Sequence, residues 1–552
     1  MVTKEEMKSQ LSGVGISSTD EILEMCCEFC LRNNIDEVAF VDAWVAFAFS
    51  ELSSNLSITH EGLQIMERKE FGSKSFSTPK QISRNAAKNS FHQETTPKRK
   101  NLLQFHASSP SEGMTFSPSS YSPSVNKEKR ESNIPSGQVL LSCGKSSNEW
   151  KSNSYCPDVN LFYKIDKNVW KYMYDVLYDI WNLNEDFCEE IANTIVSTNE
   201  LADPTQFEVS SDDNSLFVGR VSTEEARINS QKVEVQGIGP SCKGKIEVDM
   251  SQIPDFSLFP GQVLAFKGFR EGKKIIATQL FLSASGPSPE PPKVTNILQI
   301  VFAAGPFAGS DLQSCEVFNS IIKYLQEHKP NFFFLIGPIL DMTNQQLNIS
   351  DFAETFENYH QRVLNQISNS LAGLPTKFFF ISSPKDIVNL PVYPTPPIFN
   401  STTGPQNAIS FLPDPSFINI DGLLIGLTSV DSLLHLSKKE VSNCKGNRLA
   451  RLAGHLLKQQ TFYPLYPSDL DISVDLNLWY KCARIPTIPH ILILPSDLHF
   501  FVKNVENCLV INPERIVKGC TRGSFAHVEV NPLSDGSSWN VDSHISVKII
   551  KV

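Results

Sequence analysis

The chain has 552 residues and a mass of 61.6 kDa, a length that predicts three or four folded units. Its 49 Lys and Arg against 60 Asp and Glu give a net charge of −11, which argues against a protein that coats nucleic acid. No apolar run reaches the roughly 20 residues that a membrane span needs, and the first residues lack a signal-peptide core. The 12 cysteines are scattered, which favours a reducing compartment over a disulfide scaffold.

Residues 1–70 have the pattern of a small helical bundle, the head of the molecule. Ser18 and Glu21 match a capping box in front of an apolar run with helical spacing. A second helix is predicted to begin at Asp36 and to carry one wide apolar face, and a third segment over 60–68 closes the bundle. That face comprises Phe40, Val41, Trp44, Val45, Phe47, Ala48, Phe49 and Leu52.

Several residues of types that bind metals or act in catalysis are predicted to be structural. Cys26, Cys27 and Cys30 lie in one helical segment without a second pair of ligands, whereas zinc needs four ligands. We therefore expect them to be small core residues. His435 and His455 stand alone in helical patterns, so packing is a better interpretation than a catalytic triad.

Residues 71–154 have the composition of a disordered linker. The first 67 of them contain 15 Ser, 6 Pro and 4 Thr, and their 10 basic and 4 acidic residues give +6 while the rest of the chain carries −17. Apolar content this thin cannot offset the entropy of ordering. The basic patch Lys98, Arg99 and Lys100 indicates nuclear import, although solvated linker charge explains such a patch alone equally well. Five Ser-Pro or Thr-Pro pairs favour the regulated nuclear protein, with candidate phosphorylation sites at Thr78, Thr96, Ser109, Ser117 and Ser122.

Residues 155–290 are predicted to hold a helical segment followed by an OB-type β-barrel. Trp170, Tyr174, Leu177 and Trp181 have helical spacing, and we expect this stripe to pack against the next domain. Beyond it the spacing changes to a period of two, and five short strands separated by Gly and Pro fit a small barrel. Residues 215–282 contain nine basic and seven acidic residues, so the barrel has no basic groove. This balance favours protein contact over nucleic-acid binding. The five predicted strands cover 216–221, 232–236, 245–249, 262–267 and 274–281.

Residues 291–552 are predicted to form an α/β layered domain that follows the stiff Pro-rich segment 286–293. Continuous apolar runs are typical of strands buried on both faces, and helical patterns over 312–328 and 352–371 alternate with them. The predicted strands cover 297–303, 332–336, 377–381, 423–427 and 491–494.

The residues that follow these strands supply few metal ligands. The first strand ends in Ala-Ala-Gly-Pro, without a carboxylate or imidazole, and the later ends offer Pro338, Asp341, Lys385, Asp386, Asp497 and His499. This order of strands and loops resembles the calcineurin-like phosphoesterases, whose loops donate aspartates, an asparagine and histidines to two metal ions. In that comparison Pro338 replaces a bridging carboxylate, and the Lys385 ammonium replaces a histidine and would repel a metal. We expect capping and turn roles here rather than a working metal centre.

Longer strings make the resemblance more specific. An OB barrel followed by a phosphoesterase scaffold without its ligands resembles the B subunits of replicative DNA polymerases, in detail those of the DNA polymerase alpha–primase complex. The resemblance covers 157–552 and extends to the helical head and the linker. The strings are residues 259–263, 267–268, 391–394 with 396–397, 426–431, 512–515 with 518–519, and Tyr463, Pro464, Leu465, Tyr466 and Pro467.

This resemblance implies a non-catalytic regulatory subunit of the nucleus without cofactors. In that family the OB and phosphoesterase-like domains bind the C-terminal domain of the catalytic polymerase subunit, and primase supplies the RNA of the RNA–DNA primers. The head contacts other replication proteins, contact with DNA is indirect or weak, and no membrane is involved. Because a tether of 67 residues spans about 45 Å, we expect the head to hold no fixed position on the body.

Two functions of other classes remain open from the sequence. The chain could be a degenerate but active metal-dependent phosphodiesterase, which would show turnover of a phosphodiester. It could instead be an OB protein that binds single-stranded DNA, although Phe256, Phe259 and Phe266 lack basic neighbours. Such a protein would lose affinity steeply with salt.

Phosphorylation of Thr96 is expected to weaken nuclear import without changing the fold. A phosphate adds about −1.5 to −2 charge beside Lys98, Arg99 and Lys100 and partly neutralises that patch. The measurement is the nuclear fraction of fluorescently tagged wild-type, Thr96→Glu and Thr96→Ala chains, with phosphorylated protein as the stricter comparison. Equal import of all forms would contradict the assignment.

Overall fold

The architecture is that of a helical head, a β-barrel and a large α/β domain. The computed structural model describes residues 4–13, 16, 19–33, 35–51, 58–60, 62–64, 66, 136–144, 155–162, 169–207, 214–223, 228–229, 231–238, 244–282, 286–307, 316–344, 354–398, 409–518, 521–533 and 538–552. The five candidate phosphorylation sites and the basic import patch lie outside these residues and stay predictions.

The head contains helices α1 Lys4–Gly13, α2 Asp20–Asn33 and α3 Glu37–Glu51. Thr19 lies at the start of α2, with its Oγ1 3.5 Å from the Ile22 amide nitrogen, while Ser18 is outside the described residues. Asp36 caps α3 as predicted, because its carboxylate accepts the Ala39 N–H at 2.7 Å. The third segment is helical at 62–64.

The predicted head core is buried. Cys26 and Cys30 are buried free thiols, as expected of core residues, whereas Cys27 is only half-buried. Burial raises the pKa of Cys26 to about 12. The structure does not describe the side chains of Phe49 and Leu52, the last members of the predicted apolar face. The other members of that face are all at most 5% exposed: Phe40, Val41, Trp44, Val45, Phe47 and Ala48.

Two strands show that the predicted linker boundary is wrong. Strand β1 Val139–Cys143 lies inside the predicted linker, yet it pairs antiparallel with the last strand of the chain, Ile545–Lys551. Strand β2 Val159–Leu161 pairs with Ser416–Ile420, so it belongs to the α/β domain and not to the barrel unit. Both partner strands are hundreds of residues away along the chain, so a local sequence pattern cannot predict these pairings.

Helix α4 Leu177–Thr198 begins later than the aromatic spacing predicts. Trp170 and Tyr174 precede the helix, in a segment where the Tyr172 hydroxyl donates to the Pro394 carbonyl at 3.1 Å. Leu177 and Trp181 on the first turns are 84% and 54% exposed, so the predicted packing of this stripe is wrong. Burial begins in the second half of α4, at Phe187, Cys188, Ile191, Ala192 and Ile195.

The five predicted barrel strands are confirmed and close in the order β3-β4-β5-β8-β7. Inward-facing apolar residues alternate along them, and one core cluster fills the barrel. The strands are β3 Ser215–Ser222, β4 Val233–Gly237, β5 Lys245–Asp249, β6 Ser257–Leu258 outside the barrel, β7 Val263–Glu271 and β8 Lys274–Leu282.

The α/β domain has two sheets with one apolar core between them. The seven-stranded sheet runs β1-β24-β23-β9-β10-β11-β13 and the six-stranded sheet β19-β20-β18-β15-β14-β2. Its elements are β9 Leu298–Ala304, α5 Glu316–His328, β10 Phe332–Ile336, α6 Phe356–Leu371, β11 Lys377–Ile381, β12 Val392–Tyr393, β13 Ile409–Leu412, β14 Ser416–Ile420, β15 Leu423–Leu427, α7 Ser432–Lys439, β16 Val441–Ser442, α8 Arg448–Lys458, β17 Ser473–Val474, α9 Leu476–Cys482, β18 Ile491–Ile493, β19 Phe501–Val505, β20 Cys508–Asn512, β21 Val517–Lys518, β22 Thr521–Arg522, β23 Ser524–Val530, α10 Val541–His544 and β24 Ile545–Lys551.

The barrel and the α/β domain are joined by close packing. Gly261 has a φ of +95°, and a Cβ there would lie 2.5 Å from the Tyr466 backbone nitrogen. The Tyr466 N–H donates to the Pro260 carbonyl at 3.1 Å, and the Arg220 guanidinium lies 3.9 Å from the centre of the Tyr466 ring. Gln459 adds two hydrogen bonds to the Val263 backbone. Two of the family strings, 259–263 and 463–467, therefore meet at this junction.

A buried carboxylate completes the junction. The Glu440 side chain is 1% exposed and accepts hydrogen bonds from Arg451 at 2.7 Å and from Ser257 of the barrel at 2.5 Å. His455 Nε2 lies 3.2 Å from the same carboxylate. Burial opposes the charge, but the hydrogen bonds from His455 and Arg451 outweigh it and hold the pKa of Glu440 well below its usual value. Glu440 thus connects both domains as an anion.

Replacing Glu440 by Gln is expected to lower the free energy of unfolding by about 3–5 kcal/mol, because the partly buried Arg451 loses its counter-ion and the buried His455 loses its carboxylate partner. Since the folded pKa lies below the unfolded value of about 4.3, this stabilisation is present above pH ~4.3 and is lost as the pH falls further. Urea unfolding at pH 7 and pH 3 measures both effects. Glu247→Gln, which breaks an exposed 3.5 Å pair with Lys232, is the matched control and should change little. Equal stability of the two variants would contradict the prediction.

Candidate functional site

The loops that follow the parallel strands form what we call the strand-end edge: residues 305–307, 337–341, 383–386, 428–431, 496–499 and 512–515. Backbone packs directly on backbone here. A Cβ at Gly305 would clash with the Pro338 carbonyl oxygen, and one at Gly337 would lie 2.8 Å from the Ser383 Cβ. The Ile516 N–H donates to the Ala304 carbonyl at 2.8 Å and joins the two sheets. The edge is closed rather than hollow at these positions.

Asp341 and Asp386 face each other in an isolated β-bridge. The Asp386 carboxylate accepts the Ile339 N–H at 2.7 Å, and Asp341 accepts the N–H and hydroxyl of Thr343 at 2.8 and 2.6 Å. These are the turn and capping roles that the sequence predicts. Lys385 is half-buried, and its carbonyl accepts the Met342 N–H.

Asp497 and His499 lie apart from that pair, beside Asp431. The Asp431 carboxylate caps α7 through the Leu434 N–H at 2.9 Å and accepts the Asp497 N–H at 2.7 Å. Burial, and then the Asp497 carboxylate, raise the pKa of Asp431, whereas burial lowers that of His499. Within the part of the chain that the structure describes, none of these four predicted positions joins a group of three metal-ligating atoms.

The buried Arg515 places a positive charge near carboxylates at and beside the strand-end edge. Its guanidinium is 6% exposed and donates to the Ser429 carbonyl at 2.9 Å. Burial raises the pKa of Asp414 to about 6, against hydrogen bonds from Ser429 and the field of Arg515. The Arg515 charge likewise opposes the raised pKa of Asp431. A fixed positive charge therefore lies among the carboxylates that would attract a metal ion.

One three-residue group of metal-ligating types does occur among the described residues, at His435, Asp469 and Asp471. The Lys438 ammonium lies 3.9 Å from Asp469 and 3.3 Å from Asp471, so both carboxylates already have a cation. His435 is buried and shares a 3.0 Å hydrogen bond with the Tyr463 hydroxyl, and burial lowers its pKa to about 3. We interpret the group as an ion pair beside a neutral packed histidine, as predicted for His435.

The longest run of exposed large apolar side chains among the described residues is the aromatic surface, which we define as Met173, Tyr174, Val176, Leu177, Tyr178 and Trp181. Tyr174 is 80% and Leu177 84% exposed, and all six side chains are more than half exposed. Such contiguous apolar exposure is unusual on a soluble protein and marks contact sites, where Trp, Tyr and Met are enriched. The aromatic spacing that predicts a packed stripe also marks this surface, but its side chains face the solvent and not a neighbouring domain.

The aromatic surface is held by both domains. Asn477 donates to the Asp175 carboxylate at 2.8 Å, and Arg220 of β3 donates to Asn184 at 2.6 Å. Further along α4, Phe187 packs on Trp479 at 4.6 Å between ring centres. Acidic residues surround the exposed part: Asp175, Asp179, Glu185, Asp186 and Glu189. The surface is thus apolar, anchored to both domains at Asp175, Asn184 and Phe187, and followed by acidic residues along α4.

Three aromatics of the barrel domain that the sequence singles out are not available for stacking on bases. Phe256 is 7% exposed, and Phe259 and Phe266 are fully buried. Phe259 packs on His455 of the α/β domain at 4.8 Å between ring centres. These residues serve packing, in line with the protein-contact interpretation of the barrel.

Comparison with protein families gives three matches. The family of the DNA polymerase alpha/epsilon B subunit matches residues 300–503. The family of the N-terminal region of the DNA polymerase alpha B subunit matches 5–74, and that of the OB domain of the same B subunit matches 182–283. Together they span the head, the barrel and most of the α/β domain.

Curated relatives agree with these matches at modest identity. The chain is 25% identical to the DNA polymerase alpha B subunit of Rattus norvegicus and 28% identical to that of Drosophila melanogaster, with 100% of both chains covered in each case. The protein of the same name from Schizosaccharomyces pombe is 29% identical over 68% of this chain and 70% of its own. Separately, no described helix is long and apolar enough to cross a membrane.

We expect no metal-dependent hydrolysis of a phosphodiester by the full chain with Mn²⁺, Mg²⁺ or Zn²⁺, because Arg515 and Lys385 place positive charge at the strand-end edge. Release of nitrophenolate from a bis(nitrophenyl) phosphate measures it. Turnover that Asp341→Asn abolishes and the surface control Glu247→Gln retains would contradict this expectation.

Proposed function

Because the chain belongs to the family of DNA polymerase alpha B subunits, we propose that it is the non-catalytic scaffold subunit of the DNA polymerase alpha–primase complex. It binds the C-terminal domain of the catalytic polymerase subunit and supports RNA–DNA primer synthesis when replication begins in the nucleus. Primase joins through the complex, the head contacts other replication proteins, and contact with DNA is indirect or weak.

The single observation that carries the proposal is the aromatic surface. A permanent contact between subunits needs a large preorganised area with buried aromatic anchors. Tyr178 and Trp181 on α4, and Tyr174 just before it, can serve as such anchors, because α4 packs on both C-terminal domains. The acidic residues along α4 and the acidic body favour a partner with basic residues around an apolar centre.

The strand-end edge supports the non-catalytic part. In a phosphoesterase-like scaffold the donors at these strand ends would bind two metal ions, whereas Arg515 and Lys385 supply cations here. Asp341, Asp386 and Asp431 each accept a backbone hydrogen bond. These contacts favour a scaffold over the phosphodiesterase that the sequence left open.

Tyr178→Ala and Trp181→Ala are each expected to weaken binding of the catalytic subunit's C-terminal domain about 30-fold, a loss of ~2 kcal/mol that is typical of central aromatic anchors. Calorimetry with the purified domain measures the dissociation constant. Met342→Ala, 46% exposed just beyond the strand-end edge, is the matched control and should leave binding unchanged. Equal effects of the three substitutions would contradict the placement of the surface.

A chain that lacks residues 1–135 is expected to bind the catalytic subunit's C-terminal domain as tightly as the full chain. The truncation keeps β1, which completes the edge of the seven-stranded sheet, and removes only the head and most of the predicted linker. Loss of binding by this chain, with its thermal unfolding unchanged, would move the assembly surface to the head.

A further inference from the structure

Helix α3 of the head is apolar on every side. Eleven of its fifteen residues are apolar. Between its first and last residues, which are both glutamates, its one charged residue is Asp42. A helix of this kind is stable only when it is buried between two layers. Helices α1 and α2 provide one layer, and the second has to come from outside the three-helix head.

The second layer is α7 of the α/β domain, which packs directly on α3. The core residues of the head and those of α7 and α8 belong to one continuous apolar cluster, which includes Val45 of the head and Leu433 of α7. The head therefore lies against the body, contrary to the expectation that it would hold no fixed position.

Asp42 is the polar centre of this contact. Its side chain is 4% exposed, and the backbone N–H of His499 donates to its carboxylate. Arg448 at the start of α8 and Lys518 in β21 supply the positive charge around it. Both cations also have partners on the body: Arg448 donates to the Ser437 carbonyl at 2.8 Å, and Lys518 donates to Glu514 at 2.9 Å.

We propose that α7 together with Arg448, His499 and Lys518 forms a docking face for helix α3 of the same chain, and that Asp42 is the group this face recognises. The partner that fits such a face is an apolar helix with a single buried carboxylate. The head occupies it at rest, and a protein that binds the head through α3 must first displace it. This inference rests on the contacts of α3 and not on the proposed function.

Charge complementarity makes the recognition specific. A carboxylate removed from water is costly unless a hydrogen bond and cations meet it. This face supplies both, and they offset part of the burial, which raises the pKa of Asp42 to about 7. An apolar helix without the carboxylate would leave the His499 N–H and the two cations without that acceptor. A cation at position 42 would face two like charges across a desolvated contact.

The test uses hydrogen exchange of the full chain, read at α7 and at residues 497–501. Asp42→Arg is expected to release the head and to speed exchange in both segments at least tenfold, with α1 and α2 still protected. Glu5→Arg, a charge reversal at an exposed position of α1, is the matched control and should leave exchange unchanged. Small-angle scattering should show a larger radius of gyration for Asp42→Arg alone.

Variants on the body separate docking from folding of the head. Lys518→Glu leaves the head sequence intact and should also speed exchange in α7, and the pair Asp42→Lys with Lys518→Glu should restore part of the protection. Wild-type exchange of α7 in both the Asp42→Arg and the Lys518→Glu chains would overturn the proposal. If Asp42→Arg unfolds the head, the Lys518→Glu chain decides alone.

Discussion

The buried carboxylate of Glu440 is the contact on which the arrangement of the C-terminal domains depends. It accepts hydrogen bonds from Arg451 of its own domain and from Ser257 of β6, so a rotation of the two domains would take one hydrogen bond away from a buried charge. Gly261 under the Tyr466 backbone adds a steric limit. Features that touch both domains, α4 above all, are fixed as a result.

Much of the fold could be predicted because strong local patterns encode it. The period of two from β3 to β8 and the continuous apolar runs of β9, β10, β11 and β15 match the observed strands within a few residues. Both patterns report burial on one or two faces of a strand, a property that the sequence carries locally. The cap at Asp36 and the packed histidines His435 and His455 follow for the same reason.

The failures have a common physical cause in contacts that are distant along the chain. Val139–Cys143 is a strand only because Ile545–Lys551 offers it an edge. Trp170 and Tyr174 fit helical spacing, yet Tyr172 and Asp175 are held by the α/β domain, and the helix begins beyond them. The wide apolar face of α3 was predicted as the core of the head alone, whereas α7 covers its other side. At the strand ends, the turn roles of Asp341 and Asp386 could be predicted from the sequence. The role of Arg515 as a buried positive charge could not, because it depends on contacts with distant residues such as Ser429.

Arg515 also bears on how this domain is made in the cell. Its positive charge is covalently part of the chain and is present from the moment of synthesis, since a guanidinium keeps its proton at any physiological pH. It opposes the rise that burial causes in the pKa of the neighbouring Asp414 and Asp431. On the proposed non-catalytic role, folding of this edge would not depend on the metal supply of the compartment, and a chelator that strips a metalloenzyme of its centre would be expected to leave it intact.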